Sequence, residues 1–183
     1  MNNEQSIMSE KLYMLGDDAA KEEKYRNLFP QIETLVSGEA DLIANLANVA
    51  AAIKQTFGFF WIGFYLVKDG TLVLGPFQGP VACTRIAYGR GVCGTAWKER
   101  RTVIVTNVEF FPGHIACNSA SKSEIVVPLI SGGEVMGVLD IDSDRLADFD
   151  EVDAEYLEMI IQSITPKCFN AFHIPSLSTV SVT

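Results

Sequence analysis

The spacing of apolar residues changes abruptly near residue 58, and this change constrains the fold more than any other feature of the sequence. Residues 39–57 carry apolar side chains at helical spacing, which predicts one amphipathic helix. Its apolar stripe consists of Leu42, Ile43, Leu46, Val49, Ala50 and Ile53. The next segment, FFWIGFYLV at 59–67, alternates with a period of two and predicts a strand with Trp61, Gly63 and Tyr65 on one face. The chain therefore combines helices with strands.

The remaining segments extend this pattern to a single α+β domain. Further strands are predicted at 71–75, 80–87, 102–105, 123–130 and 134–142, and further helices at 21–36, 92–99 and 152–165. Proline is expected to interrupt the first of these helices at Pro30 and to end the last one before Pro166. Helices flanking a central antiparallel sheet are thus expected over residues 21–165, between a loosely ordered extension at 1–20 and a polar tail at 166–183.

Charge and composition exclude several classes of protein. The formal net charge is −9 with scattered lysines and arginines, so neither nucleic acid nor an anionic membrane is an expected partner. No apolar run approaches the roughly 20 residues that span a bilayer, and the N-terminus lacks a secretory signal pattern. With 48% hydrophobic residues, the chain is expected to fold around one core in the cytoplasm.

Four cysteines are expected to be free or redox-active, because cytoplasmic proteins seldom use structural disulfides. They form no C-x-x-C pair and the chain has two histidines, so no metal site of the tetrahedral zinc type is expected. Cys117 lies in the long loop FFPGHIACNSASKS, whose length favours a functional role. A single free cysteine is most often a small buried side chain. Three at loop and strand edges, Cys83, Cys93 and Cys117, favour thiol chemistry instead.

The segment GRGVCGTAW at 89–97 matches the glycine spacing G-x-G-x-x-G of dinucleotide-binding loops. Such a loop needs a long following helix inside a parallel βαβ unit, whereas about two helical turns fit here before the next strand. A tight strand-to-helix turn would explain Gly89 and Gly91 but leaves Cys93 unexplained. The alternative is that the glycines provide a flexible position for a reactive thiol.

Two aspartates lie in the last predicted strand, EVMGVLDID. Strand alternation places Asp140 and Asp142 on one face, about 7 Å apart along the strand. A strand that simply runs out into solvent is the alternative explanation, but apolar neighbours on both faces indicate a covered strand. Paired carboxylates repel each other when ionised, which raises one pKa and provides a proton donor near neutral pH.

The register of the predicted hairpin decides whether Glu124 joins the two aspartates. A two-residue turn at 132–133 would pair Glu124 with Ile141, on the opposite face. A three-residue loop at 131–133 would pair it with Asp140, on the same face. We predict the three-residue loop, or another of odd length, and therefore a shared acidic site.

Four separated segments carry a specific resemblance: LGPFQGPVACTRI (74–86), GRGVCGTAW (89–97), GHIACNSASKSEIVVPL (113–129) and GVLDIDS (137–143). In this order they resemble the free methionine-R-sulfoxide reductases, which are single-domain proteins with the GAF fold. The resemblance covers residues 21–165. It implies a central antiparallel sheet with helices on both sides and a closed pocket that takes one free amino acid.

The resemblance also implies roles for individual residues. The family's nucleophile falls on Cys117, and its resolving cysteines fall on Cys83 and Cys93. Its acidic residues fall on Glu124, Asp140 and Asp142, and its aromatic wall on Trp61 and Tyr65. Family members differ in which resolving cysteine acts, so that choice stays open. Asn118 stands where other members carry an acid. No role is assigned to Cys168.

The implied chemistry is thiol-dependent reduction of free methionine R-sulfoxide. A thiolate attacks the sulfoxide sulfur while a protonated carboxyl supplies a proton to the oxygen. His114 could assist the thiolate, with a solvent-exposed loop histidine as the alternative. The resulting sulfenic acid condenses with a second thiol, and thioredoxin, the family's usual donor, reduces the disulfide. No metal or organic cofactor is implied, and homodimers are common among related proteins.

Two other classes of function compete with a reductase. One is a GAF domain that senses a small molecule without chemistry, and the other is a thiol redox sensor without a substrate pocket. GAF sensors usually stand beside an output domain, and this chain shows no such domain and no cyclic-nucleotide signature. The enzyme is therefore the preferred hypothesis.

Overall fold

The computed structural model describes residues 11–115 and 117–169. These residues contain four α-helices and six strands. In chain order they are α1 (Lys21–Ser37), α2 (Leu42–Phe57), β1 (Trp61–Lys68), β2 (Thr71–Gln78), β3 (Arg85–Ala87), α3 (Gly91–Glu99), β4 (Val103–Val105), β5 (Ser123–Ser131), β6 (Glu134–Ser143) and α4 (Glu151–Phe169), with a 3₁₀ turn at Val108–Phe110. The strands form one antiparallel sheet in the order β3-β2-β1-β6-β5-β4. The predicted α+β class is confirmed. None of the described helices is long and apolar enough to cross a membrane.

Both faces of the sheet are covered, as predicted. On one face, α1, α2 and α4 bury the larger apolar cluster, which includes Ile62 and Phe64 of β1. On the other face, α3 and the loop at 106–122 cover a smaller cluster that includes Trp61 and Tyr65. Alternate residues of β1 enter different clusters because side chains alternate along a strand. We call the side that carries Trp61 and Tyr65 the pocket face.

Two prolines do not end helices where the sequence pattern predicts. α1 continues through Pro30 without interruption, and α4 runs past Pro166 to Phe169. Pro30 lies on the exposed side of α1, where water can reach the carbonyl that loses its helical partner. Beyond Pro166, the burial of Cys168 and Phe169 in the core stabilises the last turn. The predicted helix end at residue 165 is therefore wrong.

The second helix also differs in detail from its prediction. It begins at Leu42 rather than at residue 39, because the Asp41 side chain accepts a hydrogen bond from the Ala44 N–H and caps the first turn. Ile43 is 49% exposed, so it does not belong to the buried stripe.

The segment before α1 packs along that helix. The Tyr13 N–H donates to the Gln31 side chain, and the Tyr13 carbonyl accepts from Asn27. Residues 1–10 and 170–183, on which most of the predicted extension and tail fall, lie outside the described residues. The domain limits at residues 21 and 165 stay a prediction.

Candidate active site

The β5–β6 hairpin has a different turn from the one predicted. Its turn contains two residues, Gly132 and Gly133, both with positive φ (57° and 82°), and Ser131 pairs with Glu134. Glycine suits such a turn because it adopts positive φ without steric cost. The predicted odd-length loop is wrong.

A β-bulge in β6 nevertheless brings the acidic residues to one face. The register shifts by one residue next to Leu129, where Met136 has no partner opposite. One extra residue reverses the alternation of the strand, so Glu124 pairs with Asp142 and shares a face with Asp140. The predicted common face is therefore present, with Asp142 rather than Asp140 opposite Glu124.

The three carboxyl groups lie together at the pocket face, with Glu124 and Asp140 buried and Asp142 half-buried. Glu124 and Asp140 are each 6% exposed, and Asp140 Oδ1 has no hydrogen-bond partner in the described part of the chain. Burial raises the pKa of both carboxyls well above the ordinary range, and the nearby charge of Asp142 raises them further. Burial also raises the pKa of Asp142, to about 6, against a hydrogen bond from Ser121 that favours the charged form. The raised pKa values favour the protonated forms of Glu124 and Asp140 beside Asp142.

Asp142 is expected to destabilise the fold at neutral pH. Its pKa is about 6 in the folded protein against 3.8 for the free carboxyl, so the folded state keeps the proton longer and stability falls as pH rises through this window. Asp142→Asn should raise the free energy of unfolding near pH 7 by about 2 kcal/mol, since a pKa unit corresponds to about 1.4 kcal/mol and partial exposure reduces the full value. Urea denaturation measures the gain, which should vanish below about pH 4. The same gain at both pH values would contradict this assignment.

Cys83 and Cys117 form a disulfide that joins two loops across 34 residues, with Cα atoms 5.5 Å apart. Cys83 is half-buried in the loop at 79–84, and Cys117 is exposed in the loop at 106–122. The Tyr65 hydroxyl donates to the Cys83 carbonyl at 2.9 Å. The pocket face therefore positions one end of the disulfide directly.

Cys93 is a free thiol on α3, 3% exposed, with its Sγ 4.0 Å from Glu124 Oε1. Burial raises the pKa of this thiol well above the ordinary value, and the neighbouring carboxyls Asp140 and Glu124 raise it further. The thiolate is the reactive form, so the raised pKa disfavours reaction at Cys93 in this arrangement. Of the two candidate resolving cysteines, the structure pairs Cys83 with Cys117.

A cavity lies between the disulfide and the pocket face. Trp61 and Tyr65 form one wall, with ring centroids 6.1 Å apart, and Trp61 Nε1 donates to the Pro80 carbonyl. The cavity is also lined by two cysteines and by basic and acidic side chains: Arg90, Cys93, His114, Cys117, Glu124, Asp140 and Asp142. A disulfide sulfur, carboxyl groups and aromatic rings thus face one cavity.

Comparison with known proteins identifies the family. A model of the GAF domain matches residues 39–165. The GAF domain-containing protein A of Dictyostelium discoideum is 63% identical over 144 residues, covering 78% of this chain and 91% of that protein. The free methionine-R-sulfoxide reductase of Escherichia coli is 44% identical over 145 residues, covering 79% of this chain and 88% of that protein. The X-ray structure of free methionine-R-sulfoxide reductase from Neisseria meningitidis, in complex with its substrate, matches with a TM-score of 0.83 and 52% identity, covering 86% of this chain and 96% of that one. This chain belongs to the free methionine-R-sulfoxide reductase family.

The cavity of this family member contains most of the residues predicted from sequence. Seven of the eight line it, and the eighth, Cys83, reaches it through its bond to Cys117. Arg90 was missed, although its place between two glycines of GRGVCGTAW was a usable signal. His114 is half-buried rather than exposed, with its Nε2 3.8 Å from Glu124 Oε2, and burial lowers its pKa, so the imidazole is neutral at neutral pH.

The glycines of GRGVCGTAW form a tight turn and allow close backbone packing in this reductase family member. Gly89 and Gly91 have φ of 70° and 60°, and α3 begins at Gly91. A Cβ on Gly94 would lie 2.5 Å from the Ala87 carbonyl oxygen. α3 is only nine residues long and follows an antiparallel strand, so the dinucleotide interpretation is excluded. The flexible-thiol interpretation stays a prediction; in this structure Cys93 is buried and lies on α3.

Gly94→Ala is expected to lower the free energy of unfolding by about 1–3 kcal/mol, because the added methyl group must displace the backbone of the preceding turn. Gly38→Ala is a matched control, since a Cβ there meets nothing within 4 Å and φ is −101°. That control should change stability by no more than about 0.5 kcal/mol. Urea denaturation of both variants compares them, and equal losses would refute the close-packing role.

Proposed function

We propose that this protein reduces free methionine R-sulfoxide to methionine with its own thiols, forming the Cys83–Cys117 disulfide in the process. One observation carries the proposal. The disulfide lies at a cavity that also holds buried carboxyls with raised pKa and an aromatic wall. Sulfoxide reduction requires a nucleophilic sulfur, a proton donor for the oxygen and a second thiol, and these groups stand together here. The named activity of the Escherichia coli relative supports the same conclusion.

Cys117 is the proposed nucleophile. It is exposed and lines the cavity, whereas Cys93 is buried where burial and nearby acids raise the pKa of its thiol. The Cys117 thiolate attacks the sulfoxide sulfur and takes over its oxygen. Methionine leaves, and Cys117 becomes a sulfenic acid.

Glu124 and Asp140 are the proposed proton donors to the sulfoxide oxygen. Both are buried and have raised pKa values, which favours the protonated form that can donate to the oxygen. Protonation neutralises the negative charge that develops on oxygen as sulfur is attacked. Without it, a charged oxygen would develop on the substrate beside buried groups that solvate it poorly.

The remaining groups of the cavity suit a free amino acid. The Asp142 carboxylate can accept the substrate ammonium, and the Arg90 guanidinium can pair with the substrate carboxylate. Trp61 and Tyr65 offer their rings to the sulfur-bound methyl group. A methionine sulfoxide inside a peptide lacks both terminal charges, so this site should discriminate against it.

Resolution and recycling complete the proposed cycle. The Cys83 thiol attacks the sulfur of the Cys117 sulfenic acid, a disulfide forms, and the oxygen leaves as water. Thioredoxin then returns two electrons by thiol–disulfide exchange. The cycle uses no metal or organic cofactor. A cytoplasmic location and a homodimer stay predictions.

The experiment is an NADPH-consumption assay with thioredoxin and thioredoxin reductase. The wild-type protein is offered free methionine R-sulfoxide, free methionine S-sulfoxide, a peptide-bound R-sulfoxide and the C-terminal amide of methionine R-sulfoxide. We expect turnover with the first, and at least about tenfold lower kcat/KM with each of the others, because each loses a charged contact or places the oxygen away from the acids.

Each outcome of the assay has a defined meaning. No turnover with any substrate, from folded and fully reduced protein, would overturn the proposal and favour a small-molecule or redox sensor. Equal turnover of the peptide would overturn the free-amino-acid part. Turnover with dithiothreitol but not with thioredoxin would retain the chemistry and reject the recycling partner.

A further inference from the structure

One cluster of potential metal ligands is formed by residues that no metal-binding sequence motif predicts. Cys93 Sγ, a carboxylate oxygen of Glu124 and one of Asp140 all lie within 4.8 Å of one another. They come from α3, β5 and β6, so no short motif brings them together. All three side chains are buried.

Two further observations indicate a cation at this cluster. Asp140 Oδ1 is buried without a hydrogen-bond partner in the described residues, and Asp140 belongs to the cluster. Such an acceptor is costly unless a proton or a cation satisfies it. His114 Nε2 lies 3.8 Å from Glu124 Oε2 and offers a nitrogen donor at the edge of the cluster.

We propose that Cys93, Glu124 and Asp140 form a binding site for a zinc ion, which occupies the substrate cavity and inhibits the enzyme. A thiolate, an imidazole and carboxylates are the donors that zinc accepts, whereas magnesium and calcium prefer oxygen alone. Ligands of tetrahedral zinc lie about 3.3–3.8 Å apart, so the side chains need to converge by at most about 1.5 Å.

The ion replaces protons. Binding releases the protons of the Cys93 thiol and of the Glu124 and Asp140 carboxyls to solvent, with no change of oxidation state. The disulfide uses Cys83 and Cys117, so Cys93 is available for the metal in the oxidised protein. The inhibitory consequence rests on the proposed function, since zinc would remove the proton donors that sulfoxide reduction needs. Metal binding itself does not rest on it.

The first test uses tag-free, oxidised protein and cobalt(II), a spectroscopic substitute for zinc. We expect one cobalt ion per chain with a thiolate-to-cobalt charge-transfer band, and displacement of cobalt by zinc. Cys93→Ser should remove the band and weaken zinc binding at least about tenfold, because even indirect partners of metal sites change affinity by that factor. Cys168→Ser is the matched control, since it alters the other buried free cysteine, which packs in the larger apolar cluster.

Three results would overturn the metal site: no band from folded wild-type protein, a band that persists in Cys93→Ser, or a band lost in Cys168→Ser. Circular dichroism checks that each variant is folded.

Inhibition is tested separately, by first-turnover methionine release from reduced protein freed of added reductant. Zinc should slow this release and higher sulfoxide concentrations should restore it. Failure of the sulfoxide to restore the rate would reject competition, whereas no release without zinc would contradict only the proposed function.

Discussion

Replacing Cys117 with serine should abolish sulfoxide reduction, lowering the rate of methionine release by about 10⁴-fold or more. The hydroxyl of serine stays protonated at neutral pH and is a poor nucleophile toward sulfur. The sulfoxide is therefore not attacked and no sulfenic acid forms. Cys117 is exposed, so serine removes no core packing and the variant should keep its fold. The measurement is methionine released per chain in a single turnover of pre-reduced protein.

Cys83→Ser distinguishes attack from resolution. This variant should release about one methionine per chain, accumulate a sulfenic acid that dimedone traps, and lose thioredoxin-driven turnover. Cys168→Ser, outside the cavity, should behave as wild type. A full burst from Cys117→Ser would refute the nucleophile. Steady-state turnover by Cys83→Ser would transfer the resolving role to Cys93.

Asp140→Asn and Glu124→Gln should each lower kcat by about 10²–10³-fold, within the usual contribution of a positioned general acid. The amides keep the size of the carboxyls but cannot transfer a proton to the sulfoxide oxygen. Both carboxyls are buried and have raised pKa values, which favours the protonated form that the reaction needs. Steady-state kcat with free methionine R-sulfoxide measures the loss.

The pH profile provides a second check on these acids. Activity needs the protonated carboxyls, so kcat/KM should fall as pH rises through their raised pKa values. Asp142→Asn removes a charge that contributes to raising the pKa values of Glu124 and Asp140, so this alkaline limb should move to lower pH. Asp69→Asn, in the exposed turn between β1 and β2, is the control and should leave the limb in place. An unshifted limb in Asp142→Asn would contradict the electrostatic coupling.

Local patterns predicted the elements of this fold well where packing agreed with them. The period-two pattern of β1 placed Trp61 and Tyr65 on one face, and both line the cavity. Prolines were the main source of error. Pro30 and Pro166 each cost a helical hydrogen bond, but exposure in one case and burial of the following residues in the other made that cost tolerable.

The common face of Glu124, Asp140 and Asp142 was predicted correctly from an incorrect turn. A two-residue turn with no bulge would have put Glu124 on the far face of the sheet. The extra residue, Met136, reverses that result, and a bulge depends on how two strands fit against their neighbours rather than on the turn sequence.

By itself, the sequence determined the α+β class, the two faces of β1 and the family, because periodicity and ordered motifs are properties of neighbouring residues. Only the tertiary structure decided which cysteine pairs with Cys117, that Cys93 is buried against Glu124, and that Arg90 and His114 reach the cavity. These contacts join residues far apart in the chain. They depend on how helices and loops pack over the sheet, and no local pattern encodes that packing.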